Sequence, residues 1–460
     1  MSTRQAASES PPIENKYDLM AWFAAGEKPK SAWRIGTEHE KFPFCTSTLA
    51  PIPYGGERSI SALMSALMSE FEWEPIVEAG NVIALRRPRG QGTETVSLEP
   101  GGQFELSGAP LENLHETCAE TGEHLRQCLH VGEPLGIGFL GVGFAPTWKL
   151  EDMPTMPKPR YAVMKRYMPQ VGRHGLDMMF RTTTIQVNLD FATEADMVAK
   201  MRIALALQPI ATALFASSPF KEGRPSGLKS LRSEVWRDTD PNRTGMLPFV
   251  FEPGMGYERY VDYALDVPMY FVYRDGNYID AAGLSFRDFL EGRLAALPGQ
   301  KPTIDDWSDH LTTIFPEARL KRFIEMRGAD GGPWRRICAL PAFWVGLIYD
   351  DEAQLAALDL ISGWSDSERD QLRRDVPRFG LQAPFRGGTA QDIAKAAVRI
   401  AHAGLSRRAR LNSRGEDETI FLDAVEEAAG SGLSPADELL GRFENQWDGE
   451  ISRIFAEYAF

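Results

Sequence analysis

Glu38 and Glu40 are separated only by His39. In an extended chain, residues i and i+2 leave the same face, so these two carboxylates would stand side by side. Segment 34–42 is too short and too charged for a stable helix, which favours the strand reading. Glu99 and Glu105 flank a Pro100-Gly101-Gly102 turn, each beside apolar residues (Leu98, Phe104, Leu106). Strand parity does not carry through such a turn. Glu325 sits in Phe323-Ile324-Glu325-Met326-Arg327, another apolar stretch. An unpaired carboxylate on a buried sheet is costly. Several together point to cations: Mg²⁺ takes hard oxygen ligands and bridges to substrate phosphates. For each glutamate alone, the alternative is an arginine partner or water.

The stretch 182–190 puts Thr182, Thr184, Gln186, Asn188 and Asp190 on one strand face, against Ile185, Val187 and Leu189 on the other. A wholly polar face of this kind is either a site wall or a solvent-facing edge. Arg224, Arg232, Arg237 and Arg243 lie in 221–245, which has no periodicity. A connection this long is usually functional or disordered. Arginine forks clamp carboxylates and phosphates, so such a loop suits an anionic substrate or a nucleotide. A GxGxxG match at 136–141 follows a helix, where a dinucleotide site needs a preceding strand, so it reads as part of a packed strand. Of Cys118, His124, Cys128 and His130, only His124 and Cys128 share a helix face, which argues against zinc. Neither a Walker A sequence nor GxSxG occurs.

The elements that must hold these residues follow from periodicity. Helical spacing marks 59–71, 111–131, a buried helix after a Thr193 cap, and 303–315. Strand-like runs mark 73–77, 82–86, 95–99, 103–107, 137–144, 178–190, 269–274 and 322–327. From Trp334 onward the pattern is nearly all helical, with segments at 355–361, 389–403, 417–429 and 435–460. An α+β core with a helical C-terminal third is expected, and the boundary near 330 reads as a packed subdomain junction. Residues 1–16 read as a flexible lead. Residues 17–460 read as one catalytic domain, with a helical subdomain at about 334–460.

Of 460 residues, 43% are hydrophobic and 25% charged, which excludes a disordered or fibrous chain. Asp+Glu 64 against Lys+Arg 50 gives a net charge of −14. An acidic surface repels phosphate backbones, so no nucleic-acid partner is expected. No run of about 18 apolar residues is apparent, so no membrane partner is expected. Four scattered cysteines and a start without an apolar stretch favour a cytoplasmic protein.

The sequence resembles plant-type glutamate–cysteine ligases over nearly its whole length. The matching blocks are IGTEHEKF (35–42), SLEPGGQFELSG (97–108), QVNLDF (186–191), NRTGMLPF (242–249), HLTTIFP (310–316) and EMRGADGGPW (325–334). The resemblance implies a curved antiparallel sheet akin to that of glutamine synthetase, with helices packed around it. It implies an ATP- and Mg²⁺-dependent reaction in which the γ-carboxylate of L-glutamate is phosphorylated and the amine of L-cysteine displaces phosphate. By similarity, Glu38, Glu40, Glu99, Glu105 and Glu325 would hold Mg²⁺, with Gln186 and Asn188 near them, and Arg327 would reach the ATP phosphates. Arg232, Trp236 and Arg160 would hold the glutamate. Glutathione is implied as a feedback inhibitor. Cys118 and Cys338 match a cysteine pair able to form a disulfide, while Ala281 and Ala296 stand where plant enzymes carry a second pair. That difference suits a bacterial member. The rivals are a sibling ligase joining glutamate to another amine, a silent nucleotide-binding regulator on the same fold, and a nucleic-acid binder acting through the arginine loop.

Overall fold

The computed structural model describes residues 10–460. Nine strands form one sheet: β1 Ile35–Cys45, β2 Glu74–Glu78, β3 Asn81–Arg89, β4 Gly92–Leu98, β5 Phe104–Ser107, β6 Ile137–Leu140, β7 Thr184–Leu189, β8 Ala318–Leu320 and β9 Ile324–Asp330. The order is β8-β9-β7-β1-β5-β4-β3-β2, and β6 pairs with the far half of β1. Every pairing in it is antiparallel. β1 is the hub. Its first half lies between β7 and β5, and ten of its eleven residues are buried.

The helices follow from caps and apolar faces: α1 Lys16–Ala24, α2 Ile60–Phe71, α3 Leu114–Leu135, α4 Pro159–Tyr167, α5 Gly175–Arg181, α6 Glu194–Phe215, α7 Leu231–Trp236, α8 Trp334–Ile348 and α9 Ala390–Arg408. Ser59 and Asn113 cap α2 and α3 by accepting from backbone N–H groups three residues on, as Thr193 does for α6. Ile185, Val187 and Leu189 of β7 belong to one core with α6, α8 and α9, so the helices after Trp334 pack behind the sheet. By length and composition α6 could cross a membrane, contrary to the sequence reading, but 83% of its apolar window is buried inside the protein. It is the core helix.

Four expectations are corrected. Segment 178–190 is not one strand. α5 runs to Arg181, whose guanidinium is held by Asp177 one turn back, and the Thr182 hydroxyl donates to the Met178 carbonyl (2.7 Å). The strand begins only at Thr184. Segment 221–245 is not wholly irregular, because it contains α7, capped by Ser230. The last helical run is not continuous: it breaks after Asn445, where Asp448 and Gly449 adopt positive φ, and helical turns resume over Ile451–Arg453 and Ile454–Glu457. The flexible lead does not reach 16. The Ile13 N–H donates to the Pro302 carbonyl (2.9 Å), Ile13 is buried, and Asn15 caps α1. Residues 1–9 of that expected lead lie outside the described residues.

α8 and α9 approach at Gly346 and Gly404. A Cβ on Gly346 would clash with the Ala401 carbonyl, and one on Gly404 with the Gly346 carbonyl. The backbones touch because neither residue has a side chain. Gly346→Ala is expected to force the helices apart and lower stability by about 1–3 kcal/mol, read as a reduced urea midpoint.

Candidate active site

One face of the sheet, with α4, α5 and α7, encloses a pocket. Its walls include Glu38, Glu40, Glu99, Glu105, Arg160, Gln186, Arg232, Trp236, Arg319 and Arg327. Strand register explains the meeting. Glu40 stands opposite Glu105, and Glu38 opposite Gln186. Glu99 follows the end of β4, and its N–H donates to the Gln103 carbonyl (3.0 Å) across the Pro100-Gly101-Gly102 turn. Gln103 fixes that turn. Its Oε1 accepts from the Gly101 N–H (2.8 Å), and its amide donates to the Met179 and Thr182 carbonyls.

The charges are unevenly spread along the strand order. Carboxylates gather on β1, β5 and the end of β4. Most of the arginines come from β8, β9 and α7 at the other end, while Arg160 of α4 and the buried Lys41 and Lys158 stand on the carboxylate side. Burial and the neighbouring Glu99 and Glu105 push the Glu40 carboxyl well above the usual range, against the opposing pull of Arg232 and Arg327. Burial, then Glu99 and Glu38, push Glu105 up to about 7, although the Ser97 hydroxyl donates to it (2.5 Å). Even with the buried Lys41 and Lys158 nearby, Glu40 and Glu105 keep a raised proton affinity, and their hard oxygens suit Mg²⁺. Among the described residues no three His, Cys, Asp or Glu are grouped closely enough to hold a metal ion by themselves.

Two expected residues lie beside the pocket rather than in its wall. The Asn188 amide donates to Glu38 Oε1 (2.9 Å). Glu325 is fully buried and accepts from Arg319 Nε (2.5 Å), with Arg327 and Lys321 at 3.2 and 3.5 Å. Burial opposes its charge, but Arg319, Lys321 and Arg327 outweigh it and hold the carboxyl well below the usual range. Sequence reasoning missed Arg319 and Lys321. Their alternation was visible, but only the β8–β9 hairpin, with Arg319 opposite Glu325, shows what they serve.

Of the four loop arginines, Arg232 alone reaches the pocket. Arg243 is fully buried, donating to Asp240, Thr313 and Pro268. Arg237 pairs with Glu234, and Arg224 sits in an exposed two-residue hairpin strand. Arg232 Nη2 donates to the Arg327 carbonyl (2.8 Å), and its guanidinium lies 5.6 Å from the Trp236 ring. Arg232 Nε and Trp236 Nε1 are buried and make no hydrogen bond. Two unmet donors one helical turn apart suit an anionic group. Arg160 lies over the Phe271 ring at 5.2 Å. Arg327 Nη1 donates to Gln186 Oε1, tying β9 to β7.

Cys118 and Cys338, the pair that the resemblance implies can form a disulfide, are free thiols in this structure. Both are buried and lie against each other between α3 and α8, and burial and then Cys338 push the Cys118 thiol well up.

An all-antiparallel sheet with carboxylates gathered on one face and arginines beside them has the architecture of a glutamine synthetase-like carboxylate–amine ligase. A family model described as glutamate–cysteine ligase family 2 (GCS2) matches residues 34–457, and the chain belongs to that family. It is 56% identical over 464 residues to glutamate–cysteine ligase B, chloroplastic, of Oryza sativa subsp. japonica, covering 99% of this chain and 91% of the relative. It is 54% identical over 458 residues to the chloroplastic glutamate–cysteine ligase of Arabidopsis thaliana, covering 100% and 85%. Among solved structures, Francisella tularensis glutamate–cysteine ligase in complex with AMP shares the fold, with a TM-score of 0.50 at 13% identity over 93% of this chain and 89% of that one. The chloroplastic relatives overturn the cytoplasmic expectation. It had rested on scattered cysteines and an unremarkable start, and neither feature reports a compartment.

The raised Glu105 carboxyl has a consequence for stability. An unfolded glutamate ionises near 4.5, so between about 4.5 and 7 the folded chain binds more protons than the unfolded one. The stability this carboxyl gives is full below that window and falls as pH rises through it. Glu105→Gln is expected to stabilise the ligand-free protein at pH 8 by on the order of 1–3 kcal/mol, with little gain at pH 4. Thermal melts at the two pH values check this.

Proposed function

We infer that the protein is an ATP-dependent glutamate–cysteine ligase, making γ-glutamylcysteine for glutathione synthesis. The observation that carries the reading is the register of β1 with β5 and β7, which sets Glu38, Glu40, Glu105 and Gln186 on one pocket face opposite the unmet Arg232 and Trp236 donors. A carboxylate is a poor electrophile. Phosphorylation of the glutamate γ-carboxylate gives it a leaving group, which the cysteine amine then displaces.

Glu38, Glu40, Glu99 and Glu105 are the residues that would hold Mg²⁺, with Glu325, kept ionised by Arg319, as the fifth carboxylate. When bound, Mg²⁺ supplies charge neutralisation for phosphate oxygens. The chain's own groups do the rest. Arg232, Trp236 and Arg160 hold the glutamate, Asn188 orients Glu38, Gln186 orients Arg327 from beside the carboxylates, and Arg327 meets the nucleotide phosphates. Apolar walls from Met164, Met178, Met179 and Phe315 limit water around the activated carboxyl. Glutathione presents the same γ-glutamyl end as the product and would inhibit by taking the Arg232 site. Residues 17–460 act as one catalytic unit in this reading. Ala281 and Ala296, in place of a second cysteine pair, support a bacterial member of the family.

Purified protein with ATP, Mg²⁺ and glutamate is expected to release phosphate only when cysteine is added; equal turnover with many amines overturns the acceptor. Glu38→Gln is expected to reduce kcat by about a hundredfold or more with unchanged circular dichroism.

A further inference from the structure

Asp330 closes β9, three residues beyond Arg327, and is 1% exposed. It is not part of the pocket wall. Its Oδ2 accepts from the Ser217 N–H (2.8 Å) and the Ser218 hydroxyl (2.6 Å), and its Oδ1 from the Ser230 hydroxyl (2.7 Å). Both hydroxyls pass the contact on. Ser218 Oγ accepts from the Arg232 backbone N–H (3.2 Å), and Ser230 Oγ, the cap of α7, accepts from the Ser233 N–H (3.1 Å). The first turn of a six-residue helix is thus tied through side chains to one carboxylate of the sheet, beside the backbone bonds from Leu231 N–H to the Ser218 carbonyl and from Ser230 N–H to the Pro377 carbonyl (both 3.1 Å). So short a helix is marginal alone, and its placement comes from what anchors it. A Cβ on Gly143 would meet the Asp330 side chain at 2.5 Å, so the close approach of Gly143 to this carboxylate depends on having no side chain there.

We propose that Asp330 is a positioning residue which, through the hydroxyls of Ser218 and Ser230, sets Arg232 and Trp236 against the amino-acid substrate. Three donors converge on its two oxygens. An amide in its place would turn an N–H toward one of them. The inference rests on Arg232 binding glutamate, so its test includes a variant for that reading.

Steady-state kinetics of Arg232→Lys come first: an unchanged KM for glutamate removes the glutamate-clamp reading, and this inference with it. With that KM raised, Asp330→Asn and Ser230→Ala are each expected to raise the KM for glutamate about tenfold, while the KM for ATP stays within about twofold. Ser230→Thr, which keeps the hydroxyl, restores the KM. The Asp330→Asn/Ser230→Ala pair is no worse than Asp330→Asn alone, because both cut one link. A wild-type KM for glutamate in Asp330→Asn overturns the proposal, as does an equal rise in both KM values. Should Asp330→Asn fail to fold, a wild-type KM for glutamate in Ser230→Ala overturns it.

Discussion

Crowding of like charge in a dry place governs this structure. Four carboxylates share one pocket, and the antiparallel register leaves them no way to avoid one another, since Glu40 faces Glu105 across a single strand pair. Away from water such repulsion is strong, and it raises the proton affinity of both groups. Much of the surrounding architecture supplies what they lack. Arg232 and Arg327 pull Glu40 toward its charged form, Arg319 and Lys321 neutralise Glu325, and Ser97 and Asn188 donate to Glu105 and Glu38. The remaining deficit is what makes the face receptive to cations.

The same economy explains the division of labour between sheet and helices. Strands fix charges well, because cross-strand partners are set by register and the back of β7 is locked into the main core. A donor that must reach over the pocket needs an element standing off the sheet, and α7 provides it. α7 is short, so its geometry comes from outside, through Ser218, Ser230 and the buried end of β9. The arginines differ accordingly. Arg243, fully buried against Asp240 and two carbonyls, braces the fold, while Arg232 keeps Nε unmet and faced inward.

The carboxylate motifs, the alternation around His39 and the helical third were legible from the residues, because period and local punctuation report short-range geometry. The end of α5 was not. Met178 to Asp190 reads as one β-like run, yet Arg181 closes a helical turn on Asp177 and the Thr182 hydroxyl folds back on Met178, contacts that strand propensity does not register. α7 was hidden in a polar stretch whose cap, Ser230, resembles any loop serine. α6 looked like a buried helix from its composition, but composition alone does not separate a core helix from a membrane-crossing one; burial did.

By itself the sequence determined which side chains could do chemistry. Carboxylates at i and i+2, a Pro-Gly-Gly turn between two glutamates and an Arg–Trp pair four apart are properties of order and residue type. Tertiary structure decided which of them share a pocket. Glu105 meets Glu40, and Arg232 leaves Arg224, Arg237 and Arg243 behind, because strand register and the anchoring of α7 are set between segments distant in the chain. It also gave Glu325 its counter-ions, since the β8–β9 hairpin turns Arg319 onto it. Local sequence carries no record of which segment will pack against which; that follows from burying apolar surface while every buried charge and hydrogen-bonding group finds a partner.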